Sequence, residues 1–244
     1  MIAIRQAVIL AGGRGERLMP LTMDRPKPMV LINNKPFLDY LIYSLIEQGI
    51  KKIIILTGYK SKIISQRYNN YKDIQILCIQ GDEIYETGQR IIKAYEYLED
   101  HFLLLYGDNY CKINLNKMTQ NFFNKKKLLS TTVFSNKKGT GEYGNKNNII
   151  VNKDNIIEGY DKEMENSKSN GVDIGYFIVN KKIFNFEYKG NPSFEKTIVN
   201  ELIKKKQISG YITNEQYYYL TNTISKDNFE KYVILNNINH INVW

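Results

Sequence analysis

Apolar residues along the chain fall into short runs separated by glycine and polar turns. Gln6–Leu10 is a compact apolar run bounded by Gly12 and Gly13 and reads as a buried strand. Lys52–Thr57, closed by Gly58, predicts a second strand, and Asp73–Ile79 a third. Phe102–Tyr106, followed at once by Gly107 and Asp108, predicts a fourth. These runs are rich in β-branched residues and leucine and do not alternate with polar positions. They therefore imply strands covered on both faces, as in parallel sheets. Helical spacing lies between them. After Pro36, residues Phe37, Tyr40, Leu41, Ser44, Leu45 and Gln48 follow the helical period, and Gly49 closes the segment. Ser61–Tyr68 and Glu86–Leu98 predict two more helices. Strand–helix alternation of this kind indicates an α/β fold with a mostly parallel central sheet.

The second half is less regular. Leu128–Phe134 and Val172–Val179 predict strands, and Ser135–Asn148 a polar, glycine-bearing loop. Asn148–Val151 and Ile156–Tyr160 flank Asn152–Asn155 as a hairpin would. Ser193 caps a predicted helix over Phe194–Lys204, Tyr217–Leu220 is a short strand, and Ser225–Leu235 a final helix. No repeat or linker interrupts the chain. It reads as one domain, with residues 1–112 as a first half and an elaborated second half over 113–244.

Composition changes little in this picture. The 244 residues suffice for a sizeable core, and 24% charged residues is ordinary for a globular protein. The formal net charge of +9 invites a reading as a nucleic-acid binder. However, the lysines are dispersed, and the densest runs, Lys125–Lys127 and Lys204–Lys206, suit solvated faces. No nucleic-acid motif is present, so no nucleic-acid partner is expected. Cys78 and Cys111 form no disulfide framework and are expected to be reduced thiols. His101 and His240 are too far apart to suggest a site, and no zinc spacing occurs. No run approaches the roughly 18 apolar residues of a membrane span, and the start of the chain lacks a signal-peptide layout. The expectation is a cytoplasmic protein without a membrane partner.

Candidate chemistry concentrates after the first strand. Leu10–Leu18 carries Gly12, Gly13 and Gly15, and the segment continues through Pro20–Thr22 to Arg25–Met29. A glycine loop directly after a strand lets backbone N–H groups approach phosphates. Arg14, Arg17 and Lys27 add cations that can neutralise a triphosphate. A Walker loop is absent, and the dinucleotide fingerprint fails at Leu18, with Pro20 stopping any helix. Asp108 stands at the carboxyl end of a strand, the usual side for a ligand crevice in an α/β sheet.

The string from Gly12 to Met29 resembles the signature of the sugar-phosphate nucleotidyltransferases, roughly G-G-x-G-x-R-L-x-P-L-T-x-x-x-P-K-P-M, and matches every fixed position. Pro36–Tyr40 with Gly49 and Ile50 is similar to heptose 1-phosphate guanylyltransferases. Thr87 and Gly88, with Arg90 and then Tyr106–Asp108, look more like glucose 1-phosphate cytidylyltransferases. The resemblance implies a single Rossmann-like nucleotide-binding domain. It also implies an enzyme that joins a nucleotide monophosphate from an NTP, CTP or GTP by preference, to a sugar 1-phosphate. Pyrophosphate is released, Mg²⁺ is the cofactor, and the product supplies surface polysaccharide. By analogy with relatives, a homo-oligomer is implied.

The same resemblance implies roles. Arg17 grips the β/γ-phosphates, and Lys27 contacts the α-phosphate and the incoming sugar phosphate. Fixed cations there stabilise charge building at phosphorus. Asp108 holds Mg²⁺ on the nucleotide. Leu10, Ala11, Gly12, Gly13, Arg14, Gly15, Gln80, Thr87 and Gly88 line the nucleotide. Tyr143, Gly144, Asp161, Lys162, Asp173 and Gly175 fall on the sugar-phosphate side. Asp161 and Lys162 stand where the family usually has Glu-Lys, and Asp173 and Gly175 fall on its Asn-x-Gly. One position departs further. Thr221 or Asn222 stands where many relatives carry a second metal-binding aspartate. Two alternatives follow from these departures: the same chemistry on a non-sugar phosphate, or a non-catalytic subunit that binds nucleotide sugars.

Overall fold

The computed structural model describes residues 3–69, 71 and 74–238. Asp73, at the head of the third predicted strand, and His240 lie outside the described residues. In chain order the strands are β1 (Gln6–Ala11), β2 (Leu31–Ile32), β3 (Lys35–Pro36), β4 (Lys52–Thr57), β5 (Gln75–Gln80), β6 (His101–Tyr106) and β7 (Asn109–Cys111). They continue with β8 (Leu129–Phe134), β9 (Ile149–Val151), β10 (Ile157–Tyr160), β11 (Val172–Asn180), β12 (Ile208–Thr213) and β13 (Tyr217–Tyr219). The helices are α1 (Phe37–Glu47), α2 (Ser61–Tyr68), α3 (Thr87–Lys93), α4 (Leu115–Lys125), α5 (Asn200–Lys204) and α6 (Thr223–Leu235). Seven strands join one mostly parallel sheet in the order β12-β8-β11-β6-β1-β4-β5, which is the α/β architecture expected from the alternation.

The chain forms two compact units, each discontinuous in sequence. One is built on Arg5–Ile84, Leu105–Tyr110 and the segment from Tyr218 onward. The other is built on Tyr85–Leu104 and Cys111–Tyr217.

In the first unit, β1 pairs in parallel with β4, and β4 with β5, with Val8 opposite Ile54 and Ile54 opposite Leu77. All six residues of β1 are buried, as the unalternating run predicts. Helix α1 buries Phe37, Leu38, Tyr40 and Leu41. Phe37 and Tyr40 meet Phe229 of α6 at centroid distances of 5.0 and 5.6 Å. Asp39, in the first turn of α1 where a negative charge complements the helix dipole, is 1% exposed. It takes Arg67 Nη2 at 2.6 Å and the Tyr68 hydroxyl at 2.5 Å, tying α1 to α2.

In the second unit, β8 pairs antiparallel with β11 and in parallel with β12. β9 and β10 form the expected hairpin, with Asn155 left-handed at its turn. Two elements go beyond the sequence reading. Helix α4 occupies a stretch rich in asparagine and lysine, where only Leu115, Met118, Thr119 and Phe122 turn inward. β12 is masked in the sequence by Ser209 and Gly210, yet both are buried beside β8. The predicted helix over Glu86–Leu98 is instead α3 followed by a 3₁₀ turn at Tyr95–Tyr97. The helix expected over Phe194–Lys204 begins with π-helical turns at Phe194–Val199. There the Ser193 carbonyl accepts from both Thr197 and Ile198 N–H before α5 follows. Ser193 caps it as expected, its hydroxyl accepting from Lys196 N–H.

Both lysine runs lie at helix C-termini, the end that favours cations. Both cysteines are free, and burial pushes their thiols up, Cys78 to about 11 and Cys111 to about 12, so neither is a ready nucleophile. Among the described residues, no helix is long and apolar enough to cross a membrane.

Candidate active site

The glycine loop leaves β1 at Ala11 and turns back over the end of its own strand. Gly15 is left-handed, with φ of 67°. Its carbonyl accepts from Leu18 N–H at 2.9 Å and from the Thr22 hydroxyl at 3.0 Å. Leu18 and Thr22 are both buried, so the loop is anchored by an apolar and a polar foot. A Cβ at Gly15 would stand 2.9 Å from Lys27 Cβ, so glycine is what lets Lys27 pass beneath the loop. The Met19–Pro20 peptide is cis. Tyr59, just beyond β4, closes the loop from the other side. Its N–H donates to Gly12 O at 3.1 Å. Its hydroxyl is shared between Met23 O at 3.1 Å and Thr22 O at 3.3 Å.

Lys27 lies in a 3₁₀ turn over Lys27–Met29, and its side chain is only 14% exposed. Its ammonium donates to Asp108 Oδ2 at 2.5 Å. Asp108 follows β6, and Gly107 N–H donates to Leu10 O at 2.9 Å, fixing this turn against the end of β1. A largely buried cation and a one-third-exposed carboxylate are thus paired beside the carboxyl end of β6. This is a position where anions and a hard cation can be brought together. Arg14 is exposed and paired with Glu83, Nη2 to Oε2 at 2.8 Å, with its guanidinium over the Tyr59 ring. Arg17 and Gly13 are exposed on the loop, and Gln80 is exposed at the end of β5. Leu10, Ala11 and Gly12 are buried. The first unit therefore carries Leu10–Gly15, Arg17, Lys27, Gln80 and Asp108, and brings Gly15, Lys27 and Asp108 together.

Of Thr221 and Asn222, either of which stands where the family pattern has its second aspartate, Asn222 is the N-cap of α6. Its side chain accepts from Ser225 N–H at 2.9 Å. Leu220 N–H donates to the Asp108 carbonyl at 2.8 Å, which holds this segment against the Asp108 turn.

The second unit carries the remaining predicted residues. The Thr87 hydroxyl accepts from Phe194 N–H at 2.8 Å and lies 3.2 Å from Glu195 Oε2. Gly88 abuts the same segment, where a Cβ would be 2.7 Å from Pro192 O. Tyr143 is exposed, and Gly144 is left-handed in a loop organised by Asn136, whose amide donates to Gly144 O at 2.9 Å. The Asp161 carboxylate accepts from the N–H groups of Glu163, Glu165 and Asn166, and these bonds hold its carboxyl below the usual range. Its work is to build the loop that carries the exposed Lys162. Asp173 Oδ1 accepts from the Thr131 hydroxyl at 2.7 Å and from Gly175 N–H at 3.0 Å, and Gly175 is left-handed. Burial, reinforced by the charge of Glu195, pushes the Asp173 carboxyl up to about 6. Asn148 links the two acids, its carbonyl taking Asp161 N–H and its side chain Asp173 N–H.

Sequence reasoning missed Tyr59, Asn136, Asn148 and Glu195. Each acts through a backbone group or a partner distant in sequence, and no local pattern marks it.

Comparison with known proteins gives these placements a family. The model of the family described as nucleotidyl transferase matches residues 6–232. A D-glycero-alpha-D-manno-heptose 1-phosphate guanylyltransferase of Aneurinibacillus thermoaerophilus is 31% identical over 215 residues, covering 87% of this chain and 91% of that protein. A probable glucose-1-phosphate cytidylyltransferase of Bacillus subtilis is 28% identical over 231 residues, covering 84% and 87%. The fold is shared with the crystal structure of HddC from Yersinia pseudotuberculosis complexed with GMP-PN, at a TM-score of 0.77 and 24% identity over 94% of this chain and 99% of that one. With a family model matched over nearly the whole chain and relatives matched over most of their own length, the chain belongs to the nucleotidyl transferase family, among the sugar-phosphate nucleotidyltransferases.

Proposed function

We propose that the protein transfers a nucleotide monophosphate from an NTP to a sugar 1-phosphate. An oxygen of the sugar phosphate attacks the α-phosphorus, the bond to the bridging oxygen breaks, and pyrophosphate leaves. The observation that carries this reading is the Lys27–Asp108 pair beneath the glycine loop. Lys27 neutralises the two phosphates that must meet, and Arg17 answers the charge of the departing pyrophosphate. Arg14 adds a third cation once triphosphate displaces Glu83.

The donor set fits Mg²⁺. Asp108 offers hard carboxylate oxygens, and Mg²⁺ is commonly held by one or two carboxylates together with substrate phosphates. Among the described residues no cluster of three or more candidate ligands exists, so substrate oxygens and water would complete the shell. When bound, the ion would neutralise phosphate charge. The names of the two relatives support GTP or CTP as donor and a heptose or glucose phosphate as acceptor. A cytoplasmic role supplying activated sugars for surface polysaccharide is part of the same proposal and rests on the family resemblance of the Gly12–Met29 string.

Pyrophosphate release is the test, with each of CTP, GTP, UTP and dTTP, Mg²⁺, and a panel of sugar 1-phosphates including heptose. Release with one NTP–sugar pair fixes base and acceptor. Silence across the panel while nucleotide still binds overturns the proposal.

A further inference from the structure

The second unit holds a cavity of about 240 Å³ lined by aromatic and cationic side chains. His101, at the head of β6, and Phe122 and Phe123, near the end of α4, form its ring-bearing wall. The imidazole meets both phenyl rings edge-on, at centroid distances of 5.8 and 5.1 Å. Asn180 fixes its protonation. Asn180 Oδ1 accepts from Lys182 N–H at 3.0 Å, so the amide Nδ2 faces the imidazole and donates to His101 Nε2 at 3.2 Å. A ring nitrogen that accepts carries no proton, so His101 is neutral and its proton sits on Nδ1. Burial, against the opposing charge of Asp100 and with the help of Lys182, favours the same neutral form. Nδ1–H has no partner among the described residues. Lys126 and Lys127 line the same cavity. Of the run, Lys125 is tied down, its ammonium donating to the Asp154 carbonyl at 2.7 Å. Among the described residues, the ammonium groups of Lys126 and Lys127 have no hydrogen-bond or ion-pair partner. Lys126 closes α4 with left-handed backbone, φ 52°, a conformation usually left to glycine or asparagine.

We propose that this cavity binds a small ring-bearing anion, an aromatic carboxylate or phosphate. The ring packs against Phe122, Phe123 and His101, and the charged group meets Lys126 and Lys127. The volume exceeds the roughly 150 Å³ of an engineered apolar cavity that takes up benzene, so one ring with one substituent fits. Aromatic walls favour a flat ring in edge-to-face or offset contact. Two ammonium groups without partners beside that wall reward an anion, and Nδ1–H supplies one further donor. A neutral ring forgoes the charge, and a bare anion forgoes the ring. Glycine would take the left-handed backbone of Lys126 at less cost, so the cation is held there against local preference. The inference stands apart from the transferase reading, since no residue of this cavity has a part in that reaction.

The test is NMR of the full chain carrying isotope-labelled histidine. His101 and His240 are the two histidines of the sequence, and His240→Gln leaves the imidazole signals of His101 alone. Benzoate and phenyl phosphate are titrated at constant pH and ionic strength beside benzyl alcohol, acetate and inorganic phosphate. Benzoate or phenyl phosphate should shift the His101 signals to saturation with a Kd of about 1 mM or tighter, and the tighter of the two names the anion. Benzyl alcohol, acetate and inorganic phosphate should each bind at least about tenfold more weakly. Lys126→Gly combined with Lys127→Gln should weaken the ring-bearing anion at least about tenfold and leave benzyl alcohol within about threefold. Thermal melting shows that the variant is folded. If it is not, Lys127→Gln alone decides, with a loss of at least about threefold expected. The inference is overturned if neither ring-bearing anion gives a saturable shift by about 10 mM. It is equally overturned if a control binds as tightly, if the folded variant keeps its affinity, or if benzyl alcohol loses as much as the anion.

Discussion

Two glycines two residues apart in the phosphate loop should respond oppositely to a single methyl group. At Gly15 the backbone is left-handed, and a Cβ would lie 2.9 Å from Lys27 Cβ and 3.2 Å from both Lys27 Cγ and Thr22 Cγ2. None of these is a free chain end. Thr22 is fully buried, and the first carbons of Lys27 are fixed by the turn that holds its ammonium on Asp108. Left-handed backbone costs an L-residue about 1–2 kcal/mol, and overpacking adds about 1–3 kcal/mol. Gly15→Ala should therefore lose about 2–5 kcal/mol, a large share of the roughly 5–15 kcal/mol that holds a typical domain together. At Gly13, by contrast, nothing lies within 4 Å of the added carbon. Gly13→Ala should fall within about 0.5 kcal/mol of the parent. Urea unfolding of the protein without nucleotide reads both numbers. Pyrophosphate release per folded molecule should also fall in Gly15→Ala by about a hundredfold, because displacing a reacting group by an ångström can cost that much. Unfolding midpoints that agree for the two variants would refute the packing argument.

Other consequences are simpler to state. Lys27→Ala should lower turnover by more than about a hundredfold, the usual effect of removing one transition-state donor; near-normal turnover would remove the lysine from the chemistry. Tyr59→Phe deletes the hydroxyl shared by the Thr22 and Met23 carbonyls. It should cost about 0.5–1.5 kcal/mol and raise KM for the NTP with the fold intact, checked by thermal melting beside steady-state kinetics. Asp173 gives a pH signature. Its carboxyl is raised from 3.8 to about 6 in the folded protein, so its favourable contribution is complete below pH 3.8 and is lost as pH rises through about 6. Asp173→Asn should therefore be the more stable protein above pH 6, by up to about 3 kcal/mol, with the advantage vanishing near pH 4. Parallel stability–pH curves for the two proteins would contradict this.

The sequence exposed the fold best where strands are buried on both faces. β1 and β4 were legible because Ala7–Leu10 and Ile53–Leu56 leave no polar position to confuse the period. β12 was hidden because a parallel strand beside β8 can be built from small and polar residues once its neighbour fills the volume. α4 was hidden because a narrow stripe at Leu115, Met118 and Phe122 suffices when one face alone is covered. The site divides in the same manner. Lys27 and Asp108 were found because a linear signature and a strand end mark them, and the fold brings them into contact. Tyr59, Asn148 and Glu195 were not, since their importance arises from backbone groups and, for Glu195, from the Thr87 hydroxyl, which only folding brings within reach. Asp161 shows the converse, a residue whose matched position suggested ligand contact and whose carboxylate is occupied by three backbone donors.

The cap at the start of α6 bears on how this lineage can change. Asn222 accepts from Ser225 N–H, and Ser225 Oγ in turn accepts from Asn222 and Thr221 N–H. Aspartate is as good a helix cap as asparagine, and their codons differ by one base. An amide and an acid can thus replace each other here in a single mutational step that the helix does not register. Asn222→Asp should leave the melting temperature unmoved while adding a carboxylate beside the Asp108 turn, and a Mg²⁺ titration would show whether the ion uses it. If the proposed Mg²⁺ site includes Asp108, a change at Asn222 is silent for folding and shows in metal use, so the number of acids near Asp108 can vary while the scaffold stays constant.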